Sequence, residues 1–171
     1  MEPKEFLESI KNLNYIERDR LCSEYCLDSN NISFTLNNFK KITVTDKDNT
    51  LEYLVSSDSL CIGDKDNRIR LPLSGPRAQV VLDKYHCILP TKKMSDQIWK
   101  SAEIKLEPKP RPGPYDSSMF SIEAIIIHSE KIDKQLIGKD SSLLIAGHKK
   151  DVVITNKLAP NNPNKRLAIY G

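Results

Sequence analysis

No dinucleotide fingerprint, P-loop, nucleophile elbow or zincin helix occurs anywhere in this chain, so no familiar catalytic motif names its chemistry. It also lacks a Cys-x-x-Cys pair. Cys22, Cys26, Cys61 and Cys87 therefore match no zinc pattern, and four cysteines in 171 residues do not make a disulfide framework. Reduced thiols are the expectation, with Cys22 and Cys26 four apart on one helix face. A strong charge of one sign is missing too. Lys and Arg number 26 against 23 Asp and Glu, a net +3, which is too even for a dedicated nucleic-acid binder. No apolar run approaches the ~18 residues of a membrane span. The N-terminus, MEPKEFLESIKNL, lacks the apolar core of a signal peptide. The expectation is a soluble cytoplasmic protein without a membrane span. The alternative is an exported one whose signal has been removed.

What is present is ordinary globular composition, 39% apolar and 29% charged. A chain of this length forms one domain and buries about two-thirds of its unfolded surface. Residues 1–30 read as an N-terminal helical hairpin, with Phe6, Leu7 and Ile10 on one stripe and Ile16, Leu21, Tyr25 and Leu27 on another. From 40 to 73 the period changes to two. Ile42/Val44, Leu51/Tyr53/Val55 and Ile69/Leu71/Leu73 alternate with polar residues, which predicts an antiparallel meander. Two Asp-Lys-Asp-Asn segments, at 46–49 and 64–67, separate these runs. Neither carries the full calcium-loop pattern, so both read as turns.

Residues 74–104 predict a central helix pair, capped by Ser74 and Thr91 and joined through Cys87-Ile88-Leu89-Pro90. The pair has the outline of a helix-turn-helix, but its second member mixes Lys92, Lys93 and Lys100 with Asp96 and Trp99, so nucleic acid is not the expected partner. Pro108, Pro110, Pro112 and Pro114 make 105–118 a semi-rigid connector, with a ligand for an aromatic groove as the alternative. Met119 to Ile127 reads as a strand or a buried mixed segment that delivers His128 to a sheet edge. Glu130 to Ile137 reads as a helix ending at Gly138. The fold class is α+β, an antiparallel or mixed sheet with an N-terminal helical hairpin and a central helix pair, in a single domain over 1–171. The chain stops inside the apolar run Leu167 to Tyr170, so it is expected to be partial or to tuck its end into the sheet.

The segment Ser141 to Thr155 carries the functional expectation. Two apolar runs, Leu143 to Ala146 and Val152 to Ile154, flank Gly147-His148-Lys149-Lys150-Asp151. Buried strands normally meet at residues such as Asn-Gly. Here they meet at an imidazole, two ammonium groups and a carboxylate. His148 titrates near neutrality and suits a general acid or base, with Asp151 orienting it. Lys149 and Lys150 face opposite ways in a strand, so one of them would steady an anion. His128 is the second acid/base or ligand candidate, with a core histidine bonded to backbone as the bland reading. A metal between the two imidazoles would need Glu130 or Asp151, and the spacing is no known metal signature, so no metal or other cofactor is expected. His86 and Cys87 adjoin without an orienting third group. The leading reading is a hydrolase-like enzyme of unknown substrate, a small molecule or a polymer such as cell envelope. The alternative is a non-catalytic ligand-binding or protein-interaction module, in which the same segment binds an anion or is merely a charged turn.

Several stretches, in order, resemble an uncharacterised family of bacterial proteins. They are Tyr53 to Gly63 followed by Arg68-Ile69-Arg70-Leu71-Pro72, then Leu89-Pro90-Thr91-Lys92-Lys93-Met94, then Ala146-Gly147-His148-Lys149-Lys150-Asp151-Val152-Val153, and Ala168-Ile169-Tyr170-Gly171. The resemblance covers roughly residues 15–171, and its last two motifs are the most specific. It implies no assigned activity. It implies that members continue past the Tyr-Gly with a Trp-His pair and a His-rich segment, where the rest of an active site would lie. The cysteines stand outside the shared pattern, which removes support for a thiol mechanism.

Overall fold

The computed structural model describes residues 1–33, 39–109, 120–140 and 142–147, and the backbone of 151–154 and 167–170. The N-terminal helices form, with Phe6, Leu7 and Ile10 of the first stripe buried; the expected second stripe is corrected, because Ile16 is 73% exposed and Cys22 and Ser23 are the residues buried there. Helix α1 spans Pro3–Ile10, with Pro in the first turn and Glu5 accepting the backbone N–H of Glu2 at 3.3 Å. Helix α2 spans Tyr15–Tyr25, and the Asn14 side chain accepts from Glu17 N at 3.0 Å. Phe6 of α1 stacks on Tyr25 of α2, with ring centroids 3.9 Å apart.

Strands β1 (Phe39–Asp46) and β2 (Asn49–Ser56) make an antiparallel hairpin, closed by Lys47 and Asp48 between the paired Asp46 and Asn49. Strands β3 (Cys61–Ile62) and β4 (Ile69–Arg70) form a second, shorter antiparallel ladder. Its connection is a self-bonded turn, in which Asp64 Oδ1 accepts from Asp66 N and Asn67 N while Asn67 Oδ1 accepts from Asp64 N. Gly63 enters that turn at φ +88°, where a Cβ would lie 2.5 Å from Asn67 Oδ1 and from Pro3 Cγ.

The expected continuous meander over 40–73 is therefore two separate ladders. The chain leaves β2 through Ser57 to Leu60, and β3 pairs instead with β4 and, through Ile62, with Ile32. That departure carries Asp58 to the buried Arg70.

The central pair is α3 (Gly75–Lys84) and α4 (Lys92–Ser101). Thr91 Oγ1 accepts from Met94 N at 3.3 Å, as a cap should. Strand β5 (Ile104–Lys105) follows. Helix α5 spans Ile122–Leu136 and corrects the strand reading over residues 122–127, Met119 lying outside the described residues. Ser121 caps it through Ala124 N at 3.2 Å. Ile122 is buried, and Ile125 and Ile126 pack on the core, so tertiary burial overrides the β preference of three isoleucines.

Strands β6 (Ile145–Ala146), β7 (Asp151–Ile154) and β8 (Leu167–Tyr170) complete the described elements. Residues 145–146 and 151–154 are strands, as the apolar runs predict, but they do not pair with each other. β6 runs parallel to β5, and β7 is antiparallel to β8. The strand at 167–170 thus forms where it was expected. The architecture is mixed α+β, built among the described residues on two-stranded ladders of both senses.

Two apolar clusters hold it. One joins α1, α2, β3, β4, α3 and α5 around Leu7, Ile62, Val81 and Ile122. The other joins the β1–β2 hairpin to α4 and β6 around Ile42, Ala102, Leu144 and Ala146. Three tethers fix the second cluster. Tyr53 Oη donates to Gln97 Oε1 at 3.0 Å, Ile145 N donates to Ser57 O at 2.8 Å, and Leu144 N donates to Glu103 Oε2 at 3.0 Å. Among the described residues no helix is long and apolar enough to cross a membrane.

Candidate functional site

Arg70 ends β4 and is 6% exposed, an unusual position for a guanidinium. Asp58 meets it with both oxygens, Nε to Oδ1 at 3.1 Å and Nη2 to Oδ2 at 2.6 Å. From α5, Asp133 Oδ1 accepts from Nη1 at 2.7 Å. Ser129, one helical turn before Asp133, accepts the Arg70 backbone N–H through Oγ at 3.1 Å, and its carbonyl lies 3.5 Å from Nη1. Arg68, two residues earlier on the same side of the strand, stands 3.8 Å from Asp58 and 3.9 Å from Asp133. Burial alone would lower the Arg70 pKa. The hydrogen bonds and charge of Asp58, then the Asp133 bond, outweigh it and hold the pKa above its ordinary value. Asp58 Oδ1 also accepts from Ser59 N at 2.7 Å and Ser59 Oγ at 3.2 Å. Nε, Nη1 and Nη2 thus each donate to a carboxylate oxygen.

Above this pair opens a cleft of about 380 Å³, a size that suits a small ligand. Val55 of β2, Ile98 and Trp99 of α4, and Ile132 of α5 supply apolar wall. Asp58, Arg70 and Ser95 supply the polar part, and β6 with Gly147 closes one side. Lys105 Nζ lies 5.8 Å from the centre of the Trp99 ring. The cleft exists because the hairpin and α4 pack as one unit, while β4 and α5 belong to the other cluster.

Of the residues expected to act, His148, Lys149 and Lys150 lie outside the described residues. Asp151 is described in its backbone alone, opposite Tyr170 in the β7–β8 ladder. Gly147, the residue before His148, lines the cleft. His128 lies on an exposed face of α5 and is not a lining residue, so neither the sheet-edge placement nor the buried core histidine describes it. Burial, then the charges of Lys131 and Arg70, pushes its pKa below the usual histidine range. The His86–Cys87 neighbourhood makes no dyad. Cys87 Sγ donates to Tyr85 O at 3.3 Å, and His86 sits at φ +54° in the exit from α3. Among the described residues no group of three His, Cys, Asp or Glu is placed to hold a metal ion.

Sequence assigns no functional role to Arg70, Asp58, Ser129 or Asp133; Arg70 and Asp58 stand only within stretches that carry the resemblance. Alternation around Ile69 and Leu71 puts Arg68 and Arg70 on the nominally solvated face, and only α5 crossing that face buries Arg70. The available signal was Ser129 and Asp133 at i, i+4 on a helix whose apolar residues require a core. Trp99, the single tryptophan of the chain, reads in sequence only as an obstacle to DNA binding. Comparison with protein-family models, with curated proteins and with solved structures finds no match.

Proposed function

We propose that the protein is a ligand-binding module that takes a small molecule with an apolar body and a polar end in the cleft between α4, β4 and β6. The observation that carries this reading is the lining. Val55, Ile98, Trp99 and Ile132 offer apolar surface, and the charged groups at its base, Asp58 and Arg70, already satisfy each other. Such a cleft rewards shape and apolar contact, with a few polar groups fixing orientation. A reducing compartment, the cytoplasm, suits three buried thiols, Cys22, Cys26 and Cys61.

Trp99 makes the test direct, because the fluorescence of the only tryptophan reports on the cleft. Titration with anilinonaphthalene sulfonate, an apolar ring system with an anionic end, should quench Trp99 saturably. Val55→Asp should weaken that binding at least about tenfold, equivalent to roughly 1.4 kcal/mol. Linear, unsaturable quenching, or equal binding by the variant, would sink the reading.

A second reading is a hydrolase-like enzyme acting on a polymer such as cell envelope. One observation favours it: Gly147 in the cleft wall immediately precedes His148 in the chain. His148 would be the general acid or base, Asp151 its orienter, Lys149 or Lys150 the anion stabiliser and His128 a further proton carrier. With nitrophenyl acetate as probe substrate, His148→Ala should then cost about 10²–10⁴-fold in turnover. Lys149→Ala and Lys150→Ala should differ from each other. Equal small effects from all three substitutions leave the binding module in front.

A further inference from the structure

A second cavity, of about 90 Å³, lies against α2 and shares no lining residue with the cleft. Tyr15, Arg18 and Cys22 face it from one side of α2, with Leu73, Phe120 and Ile122 opposite. The Tyr15 and Phe120 rings meet at 5.3 Å and 56°, and both are about half exposed at 45% and 51%. They form an aromatic lip over an apolar floor.

One polar group in this lining is unaccounted for. The Nε of Arg18 is buried and has no hydrogen-bond partner among the described residues. Asp19 also lines the cavity, but its two carboxylate oxygens accept from Ser74 N at 3.1 Å and Ser74 Oγ at 2.6 Å. A guanidinium stays charged, and a buried donor without an acceptor costs about 1–3 kcal/mol. Native proteins rarely leave one so. The Cys22 thiol beside it is neutral, since burial pushes its pKa up to about 12. The missing acceptor must also tolerate an aromatic and aliphatic surround.

We propose that this cavity is a binding site for a small carboxylate with an apolar or aromatic body. The carboxylate accepts from Arg18 Nε, and the body lies between the Tyr15–Phe120 lip and the aliphatic floor.

The probes are benzoate and its neutral counterpart of similar shape, benzyl alcohol, followed by amide NMR of the whole chain. Benzoate should bind saturably at millimolar concentration, with shifts centred on residues 15–22, 73 and 120–125. Benzyl alcohol should bind at least about tenfold more weakly. Arg18→Gln should remove that difference. If Arg18→Gln does not fold, the comparison of the two probes on the unaltered protein still decides, together with Phe120→Ala, which truncates a half-exposed ring and should weaken benzoate. Equal binding of the two probes, shifts centred elsewhere, or no saturable shift at all would each overturn the proposal.

Discussion

Ser74 stands at the N-cap position of α3, yet its hydroxyl donates to Asp19 of α2 at 2.6 Å and makes no capping bond. Its backbone N–H donates to the same carboxylate at 3.1 Å. A residue that sequence reads as a local helix start is thus a tie between two helices. Ser74→Ala should cost about 1 kcal/mol, and Asp19→Ala about 2 kcal/mol because both bonds to a charged group are lost. The two losses should not add in a double-mutant cycle followed by urea unfolding. Simple additivity would mean that Ser74 acts only on its own helix. Thr91→Ala, which removes a true cap from α4, should cost about 1 kcal/mol independently of Asp19.

Removal of Asp58 should be among the most damaging single changes in the chain. It leaves the buried Arg70 guanidinium with Asp133 as its remaining carboxylate, and breaking a buried pair costs about 3–5 kcal/mol. Asp133→Ala should cost less, because that carboxylate is 41% exposed and solvent screens its charge. Replacing Arg70 by Met, which fills the volume without charge, should be milder than Asp58→Ala. Urea midpoints for the three variants check the order, and a larger loss from Asp133→Ala would refute it.

The thiols should separate by reactivity. Cys22, Cys26 and Cys61 are buried, and burial pushes each pKa up to about 12. At pH 8 their thiolate fraction is on the order of 10⁻⁴, and the thiolate is the nucleophile. Cys87 is partly exposed and should take iodoacetamide first in the folded protein. After denaturation without reductant, mass spectrometry should count four modified cysteines. A protected pair would mean a disulfide and an oxidising compartment.

His128 should make stability depend on pH in a defined sense. Burial, then Lys131 and Arg70, lowers its native pKa below the ordinary 6.5. The unfolded chain therefore binds the proton more readily, and stability falls as pH drops from about 6.5 through the lowered native value. Above that window the histidine is neutral in both states and contributes no pH slope. Thermal unfolding of the wild type and His128→Gln should diverge in slope across this window and run parallel above it. Parallel slopes throughout would contradict the lowered pKa.

Periodicity was enough for the local elements. The stripe of Phe6, Leu7 and Ile10, the alternation on either side of Lys47-Asp48 and the cap at Thr91 each placed an element within a few residues. These signals are local, carried by side-chain spacing and by donors that must be satisfied within a turn. The partners of each element were not legible. Ile125-Ile126-Ile127 satisfies a strand as well as a buried helix, and only packing on Ile69 and Leu71 beside a capped Ser121 selects α5. The runs flanking Gly147 to Lys150 looked made for each other, yet Ile145 pairs with Ile104 and Val153 with Ala168. Strand pairing is decided by which edge the tertiary packing presents, and residue spacing carries no record of that edge. The same holds for the site. A histidine and two lysines are conspicuous in a sequence because they are polar among apolar runs. Arg70 is inconspicuous because alternation assigns it to solvent, and it becomes the base of a cleft only when α5 brings Ser129 and Asp133 over it.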